Sequence, residues 1–194
     1  MVRYLYISLL LLLLTNSCSF QNLEHPKIQN QSGVTNAVVA KKIQLKGVGN
    51  LYQVSEELYR SEQPNKKGFA NLKKLGIQSV LNLRKYHTDD DEAKGLNLNL
   101  YSYKMSAGNI TEEDIEKCIR IIRMAPKPIL IHCMHGSDRT GTIVAAYRIV
   151  EQNWSVDDAI AELQEKQFGY HEVVYPYIPK LLKSIDWEKF KSNL

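Results

Sequence analysis

One stretch of the chain constrains the fold more than any other, because it predicts a buried strand, a loop and a buried helix in succession. Ile129 to Ile131 is an unbroken apolar run that follows two prolines, which is typical of a strand buried on both faces. The loop 132–141 comes next, and Thr142 to Val150 has the composition of a buried helix. A strand that leads through a short loop into a helix is the building unit of α/β sheets.

Strand-like and helix-like segments also alternate along much of the remaining chain. Runs that favour strands lie at residues 51–54, 58–60, 79–83 and 98–103, and helical patterns begin at Pro64, Thr111, Ser155 and again within 174–194. The acidic run 88–92 is interpreted as a loop or a helix start. This alternation predicts a single α/β domain with a central, mostly parallel sheet flanked by helices.

The first 18 residues differ in composition from the rest of the chain. A basic start precedes an almost wholly apolar stretch, Tyr4 to Leu14, and small polar residues then lead to Cys18. This order is typical of a secretory signal peptide, and Cys18 lies where a bacterial lipoprotein is cut and lipidated. We therefore expect residues 1–18 to be a signal peptide or lipoprotein signal, and the protein to be exported, either periplasmic or membrane-anchored.

Two further segments complete the predicted organisation. Residues 19–44 are rich in Asn, Gln, Ser and Lys and are predicted to be a linker, although residues 35–43 would also suit an extra strand or helix. Residues 45–194 form the predicted domain. The net charge of +4 is spread along the chain without a dense basic run, so we expect no nucleic-acid partner and most simply a monomer.

The loop 132–141 carries the residues with the clearest chemistry. It lies at the carboxyl end of a predicted strand and at a helix N-terminus, where free backbone N–H groups attract anions. Cys133 can act there as a thiolate nucleophile, and Arg139, six residues later, can grip two phosphoryl oxygens. Gly136 permits a left-handed backbone, Thr140 can donate to the sulfur, and His132 can orient Cys133 from behind.

These residues resemble the Cys-x5-Arg phosphatase superfamily, in particular its atypical dual-specificity or tyrosine phosphatase-like bacterial members. The similarity extends to residues 58–64 and 80–84, which look like two further motifs of those relatives. It implies hydrolysis of phosphate monoesters through a phosphocysteine intermediate, without metal or other cofactor. The implied phosphate-binding residues are Met134, His135, Gly136, Ser137, Asp138, Arg139, Thr140 and Arg60.

The general acid departs from the usual pattern of these relatives. In many of them an aspartate follows the strand before the long helix, but residues 105–109 of this chain contain no carboxylate. Asp138 is the predicted catalytic acid instead, because it precedes Arg139 as in myotubularin-like and some secreted bacterial phosphatases. Its alternative role is to fix Arg139 or the loop by hydrogen bonds. Asp114 is the second candidate, although it also suits the N-terminus of its own helix.

Several choices of substrate and function stay open at this level. A phosphorylated protein and a small polyanion are both candidate substrates, the latter a phosphoinositide or an inositol (pyro)phosphate. His135, Arg84 and Lys104 could add positive charge at the rim of the pocket, whereas His171 is too isolated in sequence to interpret. A phosphate-binding pseudophosphatase and a sulfurtransferase are the alternatives of other classes, and a reversible disulfide between Cys118 and Cys133 would provide redox control.

Overall fold

The computed structural model describes residues 39–194, which belong to one compact unit. The predicted signal segment 1–18, with Cys18, and most of the predicted linker 19–44 lie outside the described residues. Within the described part, no helix has both the length and the apolar character needed to cross a bilayer. Export, lipidation and membrane attachment therefore stay predictions.

Six strands form one sheet at the centre of the fold. In chain order they are β1 (Lys41–Lys42), β2 (Tyr52–Gln53), β3 (Leu58–Ser61), β4 (Ser79–Asn82), β5 (Asn99–Ser102) and β6 (Ile129–His132). Their order in the sheet is β1-β2-β3-β6-β4-β5. The four strands from β3 to β5 in this order pair in parallel, and β1 and β2 extend the sheet antiparallel. The mostly parallel sheet predicted from the sequence is confirmed.

Helices cover both faces of the sheet. They are α1 (Lys66–Lys74), α2 (Glu112–Met124), α3 (Asp138–Glu151), α4 (Val156–Gln164), α5 (Tyr177–Ser184) and α6 (Trp187–Asn193), with a 3-10 turn at Lys166–Phe168. Thr111 and Asp114 form a capping box at the start of α2, where each side chain bonds the other residue's backbone N–H. This cap agrees with the helix start that the sequence predicts at Thr111.

The central strand β6 sends its side chains alternately to two apolar cores. Ile129 and Ile131 pack into the larger core, which includes residues of α2 to α6, and Leu130 packs into a smaller core with Phe69 and Leu72 of α1. Because both faces are covered, the first three residues of this strand are apolar, as the sequence suggested. The carboxyl end of β6 therefore lies in the middle of the sheet edge, with β3 and β4 on either side.

The folded region begins earlier than the boundary predicted at residue 45. Ala40 is buried, β1 pairs with β2, and the Ile43 N–H donates to the Leu51 carbonyl at 2.9 Å. Residues 40–44 are thus part of the sheet edge and not of a linker. This agrees with the alternative of an extra strand within 35–43, and a strand of two exposed lysines has no apolar pattern by which the sequence could reveal it.

Candidate active site

Cys133 directly follows β6, and the loop after it ends where α3 begins at Asp138. The cysteine is 2% exposed and is a free thiol, as is Cys118 on α2, so the structure contains no disulfide between them. The N-terminus of α3 has no side-chain cap, since Ser137 makes no capping hydrogen bond. The free N–H groups of the first helical turn therefore face the loop that carries Cys133.

Three consecutive carbonyl groups of the loop are held by donors from other parts of the chain. The pairs are the Gln63 N–H to Met134 O at 3.2 Å, Asn50 Nδ2 to His135 O at 2.9 Å, and Arg60 Nη2 to Gly136 O at 2.8 Å. Within residues 39–194, the N–H groups of Met134 to Ser137 donate to no protein group. A loop with its carbonyls bonded outward and its N–H groups free is a binding site for an oxyanion.

Gly136 is required by the path of this loop. Its φ angle is +69°, and a Cβ atom there would lie 2.5 Å from the carbonyl carbon and oxygen of Ser61. Those distances are far below van der Waals contact, so any side chain would push the loop away from β3. The glycine lets the loop approach the end of the neighbouring strand and still curve around the nucleophile.

Arg139 is held at the base of the loop by two carbonyl groups. Its Nη1 donates to Leu83 O at 3.3 Å and to Met105 O at 3.4 Å, at the ends of the segments that follow β4 and β5. The buried Arg139 Nε and Thr140 Oγ1 find no hydrogen-bond partner in the described part of the chain. A bound oxyanion, or the Cys133 sulfur for Thr140, would satisfy these donors, which agrees with the roles predicted for both residues.

A pocket of about 400 Å³ opens beside this loop. Its lining consists of the segments 84–87 and 105–108 together with Met134, Arg139 and Tyr175. Arg84, Lys85, His87 and Arg139 make the pocket basic, and no aspartate or glutamate of the described residues lines it. The predicted rim residue Arg84 is therefore at the pocket, whereas Lys104 is exposed and is not part of its lining.

The two candidate acids both have partners outside the pocket. The Asp138 carboxylate accepts the His171 N–H at 2.9 Å and lies 2.9 Å from His171 Nδ1, and it is buried. Asp114 accepts from Tyr103 Oη at 2.8 Å and from the Thr111 N–H at 2.9 Å. The geometry thus favours the alternative role for Asp138, which is to fix the loop, and it favours helix capping for Asp114.

Arg60 lies behind the loop and not in the pocket. It is 1% exposed, its guanidinium stacks 4.3 Å from the Phe168 ring, and burial lowers its pKa to about 10. Its contact with the Gly136 carbonyl holds the loop in shape. Arg60 is not among the residues that line the pocket, so its predicted contact with phosphate stays a prediction.

Sequence reasoning missed a buried polar cluster around Asp89. His132 Nε2 lies 2.8 Å from Asp89 Oδ2, and His132 Nδ1 lies 3.3 Å from the carbonyl oxygen of Cys133. His132 thus contacts the nucleophile's own backbone, as predicted, with Asp89 as its partner. The acidic run 88–92 gave no signal as to which of its carboxylates is buried.

Tyr177 fixes the segment that forms the opposite wall of the pocket. Its hydroxyl donates to Ala107 O at 2.7 Å and accepts from the Ile110 N–H at 2.8 Å. This wall is the stretch in which the sequence showed no carboxylate, and the structure places it beside Arg139. The pocket therefore has several cations in its lining and lies beside the loop that carries Cys133 and the free N–H groups.

Known proteins with similar sequences are named as phosphatases. The dual specificity protein phosphatase TpbA of Pseudomonas aeruginosa is 36% identical over 124 residues, which cover 62% of this chain and 56% of that protein. The inositol diphosphatase SIW14 of Saccharomyces cerevisiae is 33% identical over 117 residues, which cover 55% of this chain and 41% of that protein. The chain therefore matches about half of the length of these relatives.

The solved structures give the same relationship over more of the fold. The crystal structure of TpbA matches with a TM-score of 0.73 and 27% identity, covering 82% of this chain and 97% of that one. The core catalytic domain of SIW14 matches with a TM-score of 0.67 and 27% identity, covering 77% and 93%. Residues 48–182, more than half of the chain, match the model described as the tyrosine phosphatase family. The chain belongs to this family, among the atypical dual-specificity cysteine-dependent phosphatases.

Proposed function

We propose that this protein is a phosphatase that hydrolyses phosphate monoesters through a phosphocysteine intermediate. The observation that carries the proposal is the loop after β6, whose carbonyls are bonded outward and whose free N–H groups surround the position in front of Cys133. The names of both relatives, a protein phosphatase and an inositol diphosphatase, support the same reaction class. Because Cys133 and Arg139 are both present, a pseudophosphatase is the weaker alternative.

The reaction follows from the positions of these groups. The Cys133 thiolate attacks phosphorus, the bond from phosphorus to the leaving oxygen breaks, and that oxygen takes a proton from the solvent or from a nearby acid. Water then attacks the phosphocysteine, the P–S bond breaks, and inorganic phosphate leaves with the thiolate restored. Arg139 and the loop N–H groups bind the equatorial oxygens in both steps.

The leaving group decides how much acid catalysis the site must supply. An alkyl alkoxide is a poor leaving group and needs a proton, whereas a phenolate or a phosphate leaves with little help. The pocket offers cations but no carboxylate among the described residues. This arrangement favours aryl phosphates, such as phosphotyrosine, and diphosphates over phosphoserine and phosphothreonine.

A polyanionic inositol diphosphate is the second candidate substrate, and the basic lining favours it. Arg84, Lys85 and His87 can contact phosphates other than the one that Arg139 holds. SIW14 is named an inositol diphosphatase, and a structure of a TpbA variant contains phosphotyrosine, so the relatives support both candidates. We expect the kcat/KM for an inositol diphosphate to exceed that for a phosphotyrosine peptide, which one panel of substrates would measure.

The nucleophile assignment has a direct test. We expect Cys133→Ser to lower kcat for para-nitrophenyl phosphate by at least about 1,000-fold, because the covalent route is lost while the loop still binds oxyanion. The matched control is Cys118→Ser, which changes a buried thiol on α2 away from the loop and should keep wild-type kcat. Full activity in Cys133→Ser would end the proposal, and formation of thiocyanate and sulfite from thiosulfate and cyanide would favour a sulfurtransferase.

A further inference from the structure

Asp89 is a buried carboxylate in a loop, and side chains from three other parts of the chain lie within hydrogen-bond distance of it. It is 4% exposed, although it lies in a run of acidic residues whose other two aspartates are exposed. Three side chains meet it, namely His132 Nε2 at 2.8 Å, Asn82 Nδ2 at 3.0 Å and Gln63 Nε2 at 3.1 Å. All three can donate, so both oxygens of the buried carboxylate have hydrogen-bond partners within the protein.

One branch of this cluster leads to the nucleophile. Asp89 Oδ2 and the carbonyl oxygen of Cys133 lie against opposite nitrogens of the His132 ring. A carboxylate only accepts, so the ring nitrogen that meets Asp89 is the one that carries a proton. Asp89 thereby fixes the ring orientation and the proton on Nε2, and His132 fixes the backbone of Cys133.

The other branch leads to the substrate pocket. Gln63 uses its amide nitrogen on Asp89 and its amide oxygen on Arg84, whose Nη1 donates to it at 2.8 Å. Asn82 also connects Asp89 with Arg84, since its Oδ1 accepts the backbone N–H of Arg84 at 2.8 Å. The guanidinium and the backbone of a pocket residue are therefore both oriented by amides that Asp89 holds.

We propose that Asp89 is a positioning residue that joins the two halves of the site, orienting Cys133 through His132 and the pocket residue Arg84 through Gln63 and Asn82. This inference rests on the proposed phosphatase function. Each side-chain hydrogen bond of Asp89 is with a group that itself touches a reacting or substrate-binding residue. The two branches should affect different kinetic constants, because one acts on the nucleophile and the other on substrate binding.

Two variants separate the branches. In Asp89→Asn the amide oxygen can still accept from Asn82 and Gln63, but its NH2 group faces His132 Nε2, which must then give up its proton. We expect kcat to fall about 10- to 100-fold, as for the loss of a hydrogen bond to a charged group, with KM within about twofold. In Gln63→Met the chain length is kept but Arg84 is released, so KM and the Ki of inorganic phosphate should rise about 5- to 10-fold with kcat nearly unchanged.

The matched control is Asp90→Asn, which removes the same charge from the exposed neighbouring position. It should leave kcat and KM at the wild-type values. Nitrogen NMR of protein labelled at histidine gives a readout that does not depend on turnover. The wild type should show a proton on His132 Nε2, and Asp89→Asn should show Nε2 without a proton.

Each outcome has a distinct meaning. The positioning role would be overturned if the wild type is active and the kcat of Asp89→Asn lies within about twofold of it. Equal changes in kcat and KM in both variants would also overturn it. Either result would leave the phosphatase function intact. An inactive wild type would instead refute the proposed function. In that case an unchanged His132 signal in Asp89→Asn would also overturn this inference, since the ring proton would not depend on the carboxylate.

Discussion

Asp138 shows how a residue's neighbours in space decide its role. Its place before Arg139 predicted a proton donor, but in the structure its carboxylate bonds the backbone and the ring of His171. His171 is half-exposed and lies in the segment after the 3-10 turn, near His135, whose ring is 6.0 Å away. Asp138 therefore ties the first turn of α3 to this segment, and its two oxygens are occupied.

We expect Asp138→Asn to lower kcat for an aryl phosphate and for an alkyl phosphate by the same factor, about 2- to 10-fold. The reason is that the loss acts on the shape of the loop, with the energy of one hydrogen bond. His171→Ala should show the same equal loss, because it removes the other side of the contact. A decrease confined to the alkyl phosphate would contradict this and would make Asp138 the general acid.

The residues that could be predicted from sequence are those whose roles depend on a few neighbouring positions. Cys133 and Gly136 lie in one loop and Arg139 in the first turn of α3, so a local motif with its flanking strand and helix was enough to predict them as one site. Asp89 and His171 could not be found in this way, because their partners lie 43 and 33 positions away. No periodicity or motif connects positions at such separations, and only the packed fold brings them together.

At the level of elements, α3 is the helix that the sequence predicted least completely. It was expected to be a buried apolar helix from 142 to 150, yet Arg148 within it is fully buried. The guanidinium forms two hydrogen bonds to Glu162 of α4, from Nε at 2.8 Å and from Nη2 at 2.5 Å. It also donates to Val54 O at 3.1 Å and stacks 4.2 Å from the Trp154 ring. This ion pair fixes α4 against α3.

Glu162→Ala should lower the free energy of unfolding by roughly 3–5 kcal/mol, because it leaves the buried Arg148 charge without its partner. Urea denaturation followed by circular dichroism measures the change. The control Glu188→Ala removes a carboxylate that is 91% exposed on α6 and should leave the midpoint almost unchanged. The double variant Arg148→Met with Glu162→Leu should recover most of the loss, and failure to do so would show that the charges are not its cause.

The elements that local patterns could predict are those with strong signals of their own. β6 was found from its apolar run and α2 from its capping residues, whereas β1 has only two residues and both are exposed lysines. The order of strands in the sheet could not be predicted from the sequence either, because it depends on the insertion of β6 between β3 and β4. That insertion is what places the nucleophile loop beside the motif after β3 and the segment after β4.

At the scale of the whole domain, several tyrosine side chains among residues 39–194 are buried or half-buried, and this has a consequence for alkaline stability. Burial is the first cause that raises the pKa of each of Tyr59, Tyr103, Tyr147, Tyr170 and Tyr177 above the ordinary value. For Tyr170 the pKa rises to about 12. In the unfolded chain these hydroxyls ionise near pH 10. Between those values the unfolded state binds fewer protons than the folded one, so stability falls as the pH rises.

We therefore expect the urea midpoint to be constant up to about pH 9 and to fall steeply between about pH 10 and pH 12. Arg60 and Lys127 oppose this change, since burial lowers their pKa values and the unfolded chain then holds more protons. The difference between the wild type and Tyr170→Phe isolates the tyrosine contribution from theirs. Tyr170→Phe should flatten the decrease, whereas Tyr86→Phe, at a side chain 80% exposed, should not alter it. If the urea midpoint falls equally steeply with pH in the wild type and in Tyr170→Phe, the Tyr170 hydroxyl ionises alike in the folded and unfolded states.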